Sequence, residues 1–152
     1  MFKFMNPPTT AAPGGPYSHG VEIPPNSRLL FVSGQVALRK DGTIPPTMEE
    51  QTEVVWQNIA AILASAGMGI TDICKMNSYL TRFEDFATYR VGRDKYLRGY
   101  RPASTSVVLA SLAKPEFLLE VEVVAAKAAP AKRAVARKPK APIRRAKKRA
   151  RR

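Results

Sequence analysis

From Lys127 to Arg152 the chain carries thirteen Lys or Arg and no Asp or Glu, interspersed with Ala and three Pro. Val135 and Ile143 are the only larger apolar side chains in the stretch. Such a segment cannot bury enough apolar surface to repay the entropy of ordering it. The reading is a disordered basic tail over 127–152 behind one folded domain over 1–126. A chain of 152 residues fits one domain of ordinary size, with little to spare for a second. It is also small enough that a partner subunit often helps to stabilise it. The chain has a formal net charge of +13. Residues 1–126 hold twelve basic and all twelve acidic side chains, so the body is formally neutral and the tail carries the whole excess.

Single residues exclude further classes. Cys74 is the one cysteine, which permits no intramolecular disulfide and gives no sign of an oxidising compartment. His19 is the one histidine, and one His with one Cys does not make a usual zinc site, so no metal is expected. No apolar run approaches the roughly 18 residues of a membrane span. Met1 to Pro8 lacks the apolar stretch of a secretory signal. A cytoplasmic protein without a membrane partner is expected.

Local patterns predict the order β-β-α-β-α-β-β. Residues 1–16 read as an irregular, Pro- and Gly-rich lead-in. Tyr17 to Ile23 and Leu29 to Ser33 read as two strands of a hairpin around Pro24-Pro25-Asn26-Ser27. Thr47 and Glu50 form a T-x-x-E capping box. Met48, Val55, Ile59, Ile62, Leu63 and Ala66 then share one helical face, and Gly67 follows as a stop signal. Trp56 beside that face reads as packing. A strand is centred on Lys75 to Leu80. A second helix is expected over Phe83 to Tyr100, with Phe83, Phe86, Ala87, Arg90, Leu97 and Tyr100 on one stripe and Asp85, Arg93 and Arg98 elsewhere. Thr105 to Ala110 and Phe117 to Ala125 read as two final strands forming a second hairpin. The pattern predicts an α+β fold: one mixed sheet with two helices on one face.

No Ser/His/Asp spacing and no Gly-rich phosphate loop stands out. Glu120 and Glu122 alternate with Leu119, Val121 and Val123, so both carboxylates point to one face of the last strand. They fit a solvent or subunit-contact face, or a general base or water-orienting carboxylate. His19 fits a wet lining position or a cleft acid or base. Cys74 fits a small core hydrophobe.

Four segments carry more than spacing does: Gly15-Pro16-Tyr17-Ser18, Phe31-Val32-Ser33-Gly34-Gln35, Pro102-Ala103-Ser104-Thr105 and Leu119-Glu120-Val121-Glu122. In this order they resemble the signature regions of the Rid family, the YjgF-like reactive-intermediate deaminases. The likeness covers about residues 5–126 and includes the Asp85-Phe86-Ala87 entry to the second helix. It implies a chorismate-mutase-like fold, a homotrimer, and a small-molecule cleft between neighbouring subunits. It implies hydrolysis of 2-imino acids or their enamine tautomers to 2-oxo acids and ammonia, with no metal or organic cofactor. Carried over by motif, Glu120 positions water and Tyr17 lines the cleft, and these two are the catalytic candidates. Ser33 and Gly34 line the same cleft.

The chain departs from that pattern at two positions. The family's usual Pro-Ala-Arg-Ser uses its arginine as a bidentate fork for the substrate carboxylate. Here the arginine position is Ser104, and the usual Asn of the second helix is matched by Arg90. Losing a charged hydrogen-bond partner costs about 1.5–3 kcal/mol, or roughly ten- to a hundredfold in binding. Three readings stay open. Another arginine, Arg90 or Arg101, takes the anion; the cleft hydrolyses a neutral or cationic imine; or it binds a different metabolite without this chemistry. The binding candidates are Ser33, Gly34, Ser104, Arg90 and Arg101.

The tail suggests a second role. Its composition resembles the Lys- and Ala-rich tails of linker histones and some nucleoid proteins. Lys132, Arg133, Arg137, Lys138, Lys140, Arg144, Arg145, Lys147, Lys148, Arg149, Arg151 and Arg152 are candidates for non-specific DNA or RNA binding by counterion release. The alternative is a solvated tail with no dedicated partner. With no aromatic residue, the tail does not suit base stacking. A ribonuclease reading is disfavoured, because one His has no evident acid/base partner.

Overall fold

The computed structural model describes residues 1–128; the twelve candidate nucleic-acid contacts of the tail lie outside the described residues. The elements are β1 (Lys3–Met5), β2 (Gly20–Glu22), β3 (Ser27–Val36), α1 (Met48–Ser65), a 3-10 turn (Ile70–Asp72), β4 (Ile73–Leu80), α2 (Phe86–Leu97), β5 (Ala103–Val108) and β6 (Leu119–Ala128). β3, β6, β4 and β5 form a mixed sheet in that order. β6 runs antiparallel to both its neighbours, and β5 runs parallel to β4. The α+β class and the mixed sheet with two helices are as expected. Lys127, the first of the thirteen cations, belongs to β6 and pairs in register with Arg28.

Neither expected hairpin forms. β2 pairs with β1, Lys3 opposite Glu22, so the lead-in read as irregular contains a strand. Phe4 of β1 meets the Tyr100 ring edge-on at 5.7 Å, which gives that short strand a packing partner. At the other end β6 inserts between β3 and β4 and leaves β5 at the edge. Composition explains the choice. β6 buries Leu119, Val121, Val123 and Ala125, which suits a central strand. β5 offers Ser104, Thr105, Ser106 and the exposed Val107 and Val108, which suits an edge.

α1 starts and stops where its signals lie. Thr47 caps it, its Oγ1 accepting the Glu50 N–H at 3.3 Å. At the other end Met68 N–H donates to Leu63 C=O at 2.8 Å and Gly67 N–H to Ala64 C=O at 2.9 Å, the paired bonds of a Schellman stop. Val55, Ile59 and Leu63 are fully buried against Val121, Val123, Met76 and Leu80. Gln51, also fully buried, donates to the carbonyls of Pro45 and Glu116 and accepts from Leu118 N–H, tying α1 to the entry of β6. Trp56 is buried as expected and stacks on Tyr96 at 5.7 Å.

α2 is shorter than expected and turns a different face inward. Asp85 is held by Arg82 Nε at 2.6 Å, and the helix begins only at Phe86. It ends at Leu97 because Arg98 enters the left-handed region. Tyr89, Arg93 and Leu97, spaced by four, are the buried residues, whereas Phe83 is 78% exposed. Gly92 lets the two helices meet: a Cβ there would stand 2.6 Å from Thr52 Cγ2 of α1. The glycine that breaks helix propensity is thus the one the helix contact requires.

Candidate active site

The strand register sorts the candidate residues onto two faces. Successive side chains on a strand alternate, and residues opposite one another in register share a face. Asn77 lies opposite Glu122 and Tyr79 opposite Glu120, while the buried Ser78 lies opposite Ser106 of β5. Glu120, Glu122, Asn77, Tyr79 and Thr105 therefore face away from the helices. Ser104 and Ser106 face towards them.

On the open face, the two glutamates differ in what holds them. Glu122 Oε1 accepts from Asn77 Nδ2 at 2.7 Å and from Tyr79 Oη at 2.9 Å. The Asn77 bond first, then the Tyr79 bond, holds its carboxyl below the ordinary value. Lys75 stands near it and donates to Thr105 Oγ1 at 2.6 Å. Glu122, Lys75, Asn77 and Ser33 line a cavity of about 230 Å³. Glu120 accepts no side-chain hydrogen bond among the described residues. Its neighbour is Gly34, at the point where the β3–β6 register breaks between Val32 and Gln35. A Cβ at 34 would overlap the Glu120 carboxylate. Gly34 is thus the residue that lets this carboxylate lie against β3.

On the helix face, Tyr17, Ser104 and Arg90 come together with Gly14, Gly15, Pro16, Phe86, Arg93 and Ser106 around a cavity of about 300 Å³. Ser18 places the first wall. Its N–H donates to Pro102 C=O at 3.1 Å and its Oγ to Arg101 C=O at 2.9 Å, docking the 14–17 loop beside β5. A tight turn across Pro16, Tyr17 N–H to Gly15 C=O at 2.9 Å, then aims Tyr17. α2 supplies the opposite wall. Arg90 packs against Gly15, whose added Cβ would stand 3.2 Å from Nη2. Arg101 is exposed, does not line the cavity, and contributes only its carbonyl. His19 is exposed, with Nε2 at 2.8 Å from Ala11 C=O. Cys74 is buried, its thiol 3.2 Å from Val124 C=O and pushed up by burial.

The site residue that sequence reasoning missed is Arg93. Its side chain is 6% exposed. Nε donates to Asp94 Oδ1 at 2.8 Å, and Nη2 lies 2.7 Å from the same oxygen without aligned hydrogen-bond geometry. The spacing of four from Tyr89 and Leu97 was the signal; the default of charge to solvent hid it. A larger cavity of about 810 Å³ lies at the C-terminal end of α2, and none of the candidates lines it. Two of its polar groups are already engaged: Tyr96 Oη donates to Glu53 Oε1 at 2.6 Å and Tyr100 Oη to Ile73 C=O at 2.8 Å. Among the described residues no group of three or more His, Cys, Asp or Glu is placed to hold a metal, and no helix is long and apolar enough to cross a membrane.

Residues 8–127 match the model of the endoribonuclease L-PSP family. TdcF of Escherichia coli K12, named as a candidate reactive intermediate deaminase, is 34% identical over 128 residues, spanning 80% of this chain and 95% of TdcF. The chain belongs to the Rid family. Its fold overlays the Rid protein YyfB of Yersinia pestis with a TM-score of 0.73 at 28% identity, covering 82% of this chain and 97% of YyfB. It overlays E. coli TdcF with bound serine with a TM-score of 0.63 at 28% identity, covering 83% and 99%. The chorismate-mutase-like fold expected of a Rid protein is the fold observed.

Proposed function

We propose that this Rid protein hydrolyses imines or their enamine tautomers in a cleft completed by two neighbouring copies of a homotrimer. One copy supplies the pocket of Tyr17, Ser104 and Arg90; the other supplies Glu120 with Ser33 and Gly34. The observation that carries this is the contrast between the two glutamates. Glu122 has its Oε1 taken by both Asn77 and Tyr79, whereas Glu120 lies against a glycine with neither oxygen accepting a side-chain hydrogen bond among the described residues. A carboxylate free of protein donors is better placed to hold a water and take its proton than one whose anionic form two donors already stabilise.

The chemistry balances with one water and no cofactor. Water held by Glu120 attacks the imine carbon, and the carboxylate takes the proton as the C–O bond forms. The C=N pair moves to nitrogen, which receives the proton that Glu120 took from the water and so restores the carboxylate. The carbinolamine collapses to a carbonyl and releases ammonia. Tyr17 lines the cleft where its hydroxyl meets the substrate. The deaminase name of TdcF supports the reaction class, and serine bound to TdcF supports a ligand of amino-acid size.

The placing of the groups supports assembly. Within one chain, Glu120 and Ser104 lie on opposite faces of the sheet, so a second copy is needed to bring such groups together. The open face also presents Leu29 at 49%, Phe31 at 73% and Val107 at 39% exposure, apolar surface suited to burial by another subunit.

The test compares the parent with Glu120→Gln and Glu122→Gln on imines generated in place from amino acids and amines. The reading expects hydrolysis above background, lost in E120Q and largely kept in folded E122Q. Equal loss in both variants, or no rate in the parent, contradicts it; the latter would leave a metabolite-binding cleft. The charge partition favours a separate role for the tail, in which residues beyond Lys127 bind DNA or RNA without sequence preference.

A further inference from the structure

We propose that the groove around Tyr100, where the basic tail leaves the fold, takes unpaired bases of a single-stranded nucleic acid. The proposal deepens the nucleic-acid role of the tail and rests on it. The tail supplies charge without selectivity, and the groove supplies a preference for unpaired strands.

Two cavities meet at this point. The one of about 810 Å³ at the end of α2 is lined in part by Lys95, Tyr96, Arg98 and Tyr100. A second, of about 530 Å³, is lined in part by Phe2, Phe4, Tyr100, Lys127 and Ala128. Thr71 and Tyr100 border both, so the two adjoin across the Tyr100 ring. The rings here are firmly backed. Tyr100 is fixed by its hydroxyl bond to Ile73 C=O, and Tyr96 is stacked on Trp56. Phe4 stands edge-on to Tyr100 with 43% of its surface exposed. Such rings stack bases of any sequence, because every base has a π-face. A duplex keeps those faces inside its own stack. The tail has no ring of its own, so stacking has to come from the body.

The charge at the rim matches a phosphodiester chain. Lys95 and Arg98 make no ion pair and no side-chain hydrogen bond among the described residues. Glu53, the one carboxylate lining the first cavity, is engaged by Tyr96 Oη at 2.6 Å and Gln57 Nε2 at 2.8 Å. Asp72, the one carboxylate lining the second, lies 3.6 Å from Lys127 Nζ. With both carboxylates engaged and no histidine lining either cavity among the described residues, the groove suits binding a strand, not cutting it.

Two further observations support the assignment. Arg98 closes α2 at φ 47°, in the left-handed region that favours glycine. The position bears a guanidinium where a glycine would sit without strain, which favours a role for the side chain. Lys127 Nζ donates to Gly67 C=O at 2.6 Å and so fixes the root of the tail at the edge of the second cavity. Lys132 and Arg133 come next along the chain, so a strand held by the tail is delivered to the groove.

The experiment measures binding of the full-length chain to labelled oligothymidylate, oligouridylate and a DNA duplex of equal length, at fixed ionic strength. The proposal expects both single strands to bind roughly tenfold tighter than the duplex, the worth of one stacked base. Arg98→Gly removes the cation and relieves the backbone, so its melting temperature should not fall. It should weaken single strands roughly fivefold and leave the duplex unchanged. Exposed Lys95→Gln should act in the same direction, and Phe4→Leu, which keeps an apolar neighbour for Tyr100 but no ring, should also weaken single strands alone. Backbone amide shifts on adding oligothymidylate should include residues 70–72 and 95–100. Shifts confined to the tail, equal binding of single strands and duplex, or folded R98G and K95Q that bind single strands as the parent does would overturn the groove and keep the tail reading. Single-strand binding that survives high salt, with no duplex binding, would keep the groove and sink the tail reading. No binding to any of the three overturns both.

Discussion

Replacing Gly34 by Ala separates a stability role from a catalytic one. The added Cβ would stand 2.6 Å from Glu120 Cδ and 2.9 Å from Cγ, too close for any real contact. The atoms in the way belong to a side chain, not to backbone, so the carboxylate can swing aside. Forcing it off its rotamer costs about 0.5–1.5 kcal/mol. Alanine in a strand recovers about 0.5–1 kcal/mol relative to glycine by restricting the unfolded chain. Gly34 is not in the left-handed region, so no backbone strain opposes the change. The two effects nearly cancel, and the melting temperature should move by only a few degrees. Catalysis should not be spared: displacing a water-holding carboxylate by about 1 Å costs on the order of a hundredfold. The assay is imine hydrolysis beside thermal unfolding for G34A, E120Q and the double variant. Because Gly34 acts through Glu120, G34A should add nothing to the activity loss of E120Q. A G34A protein destabilised by several kcal/mol with unchanged turnover per folded molecule would refute the reasoning, as would additive losses in the double variant.

Further outcomes follow from other parts of the molecule. Thr47→Ala removes the α1 cap and should cost about 1 kcal/mol in denaturant unfolding. Ile59→Ala empties a fully buried core position and should cost about 2–5 kcal/mol in the same measurement. Glu122 titrates below its ordinary 4.5, so its ionised form favours the folded state above that pH, and the contribution is lost as pH falls through the lowered folded value. Asn77→Ala removes the leading cause and should bring the Glu122 titration, followed by carboxyl-carbon NMR, back towards 4.5. Nucleic-acid affinity of the full chain should fall steeply and linearly on a log–log plot against salt and vanish on truncation after Ala128; unchanged affinity without the tail would rule that role out.

The parts of the fold legible in the sequence are those written in local periodicity. Thr47, the 55–59–62–63 face and Gly67 define α1 because each signal acts within one or two turns. β4 and β6 are legible from alternation. The strand order is not, because it depends on which apolar strand wins the centre: β6 over β5. β1 is three residues long, too short to show a period, and is held by contacts to β2 and Tyr100 that lie far along the chain. The candidate site was legible as motifs but not as geometry. Tyr17, Ser104 and Arg90 meet because Ser18 docks on the chain before β5, a contact across 83 residues. Arg93 escaped because a charged helix residue is placed in solvent by default, and here a serine-lined cavity beside Tyr89 takes it in. Glu120 and Glu122 are alike in the sequence pattern; the Asn77 and Tyr79 donors on β4 that hold Glu122 Oε1, and the glycine on β3 beside Glu120, tell them apart.

The most direct test of the central claim, a hydrolytic cleft shared between copies, is complementation. Glu120→Gln and Tyr17→Ala chains, each inactive alone, are unfolded together, refolded as a mixture and assayed for imine hydrolysis. If one copy supplies Glu120 and its neighbour the Tyr17 pocket, random mixing restores about a quarter of the parent's sites in a symmetric trimer. Activity that stays at the level of the separate variants would contradict a shared cleft and return the search to a site within one chain.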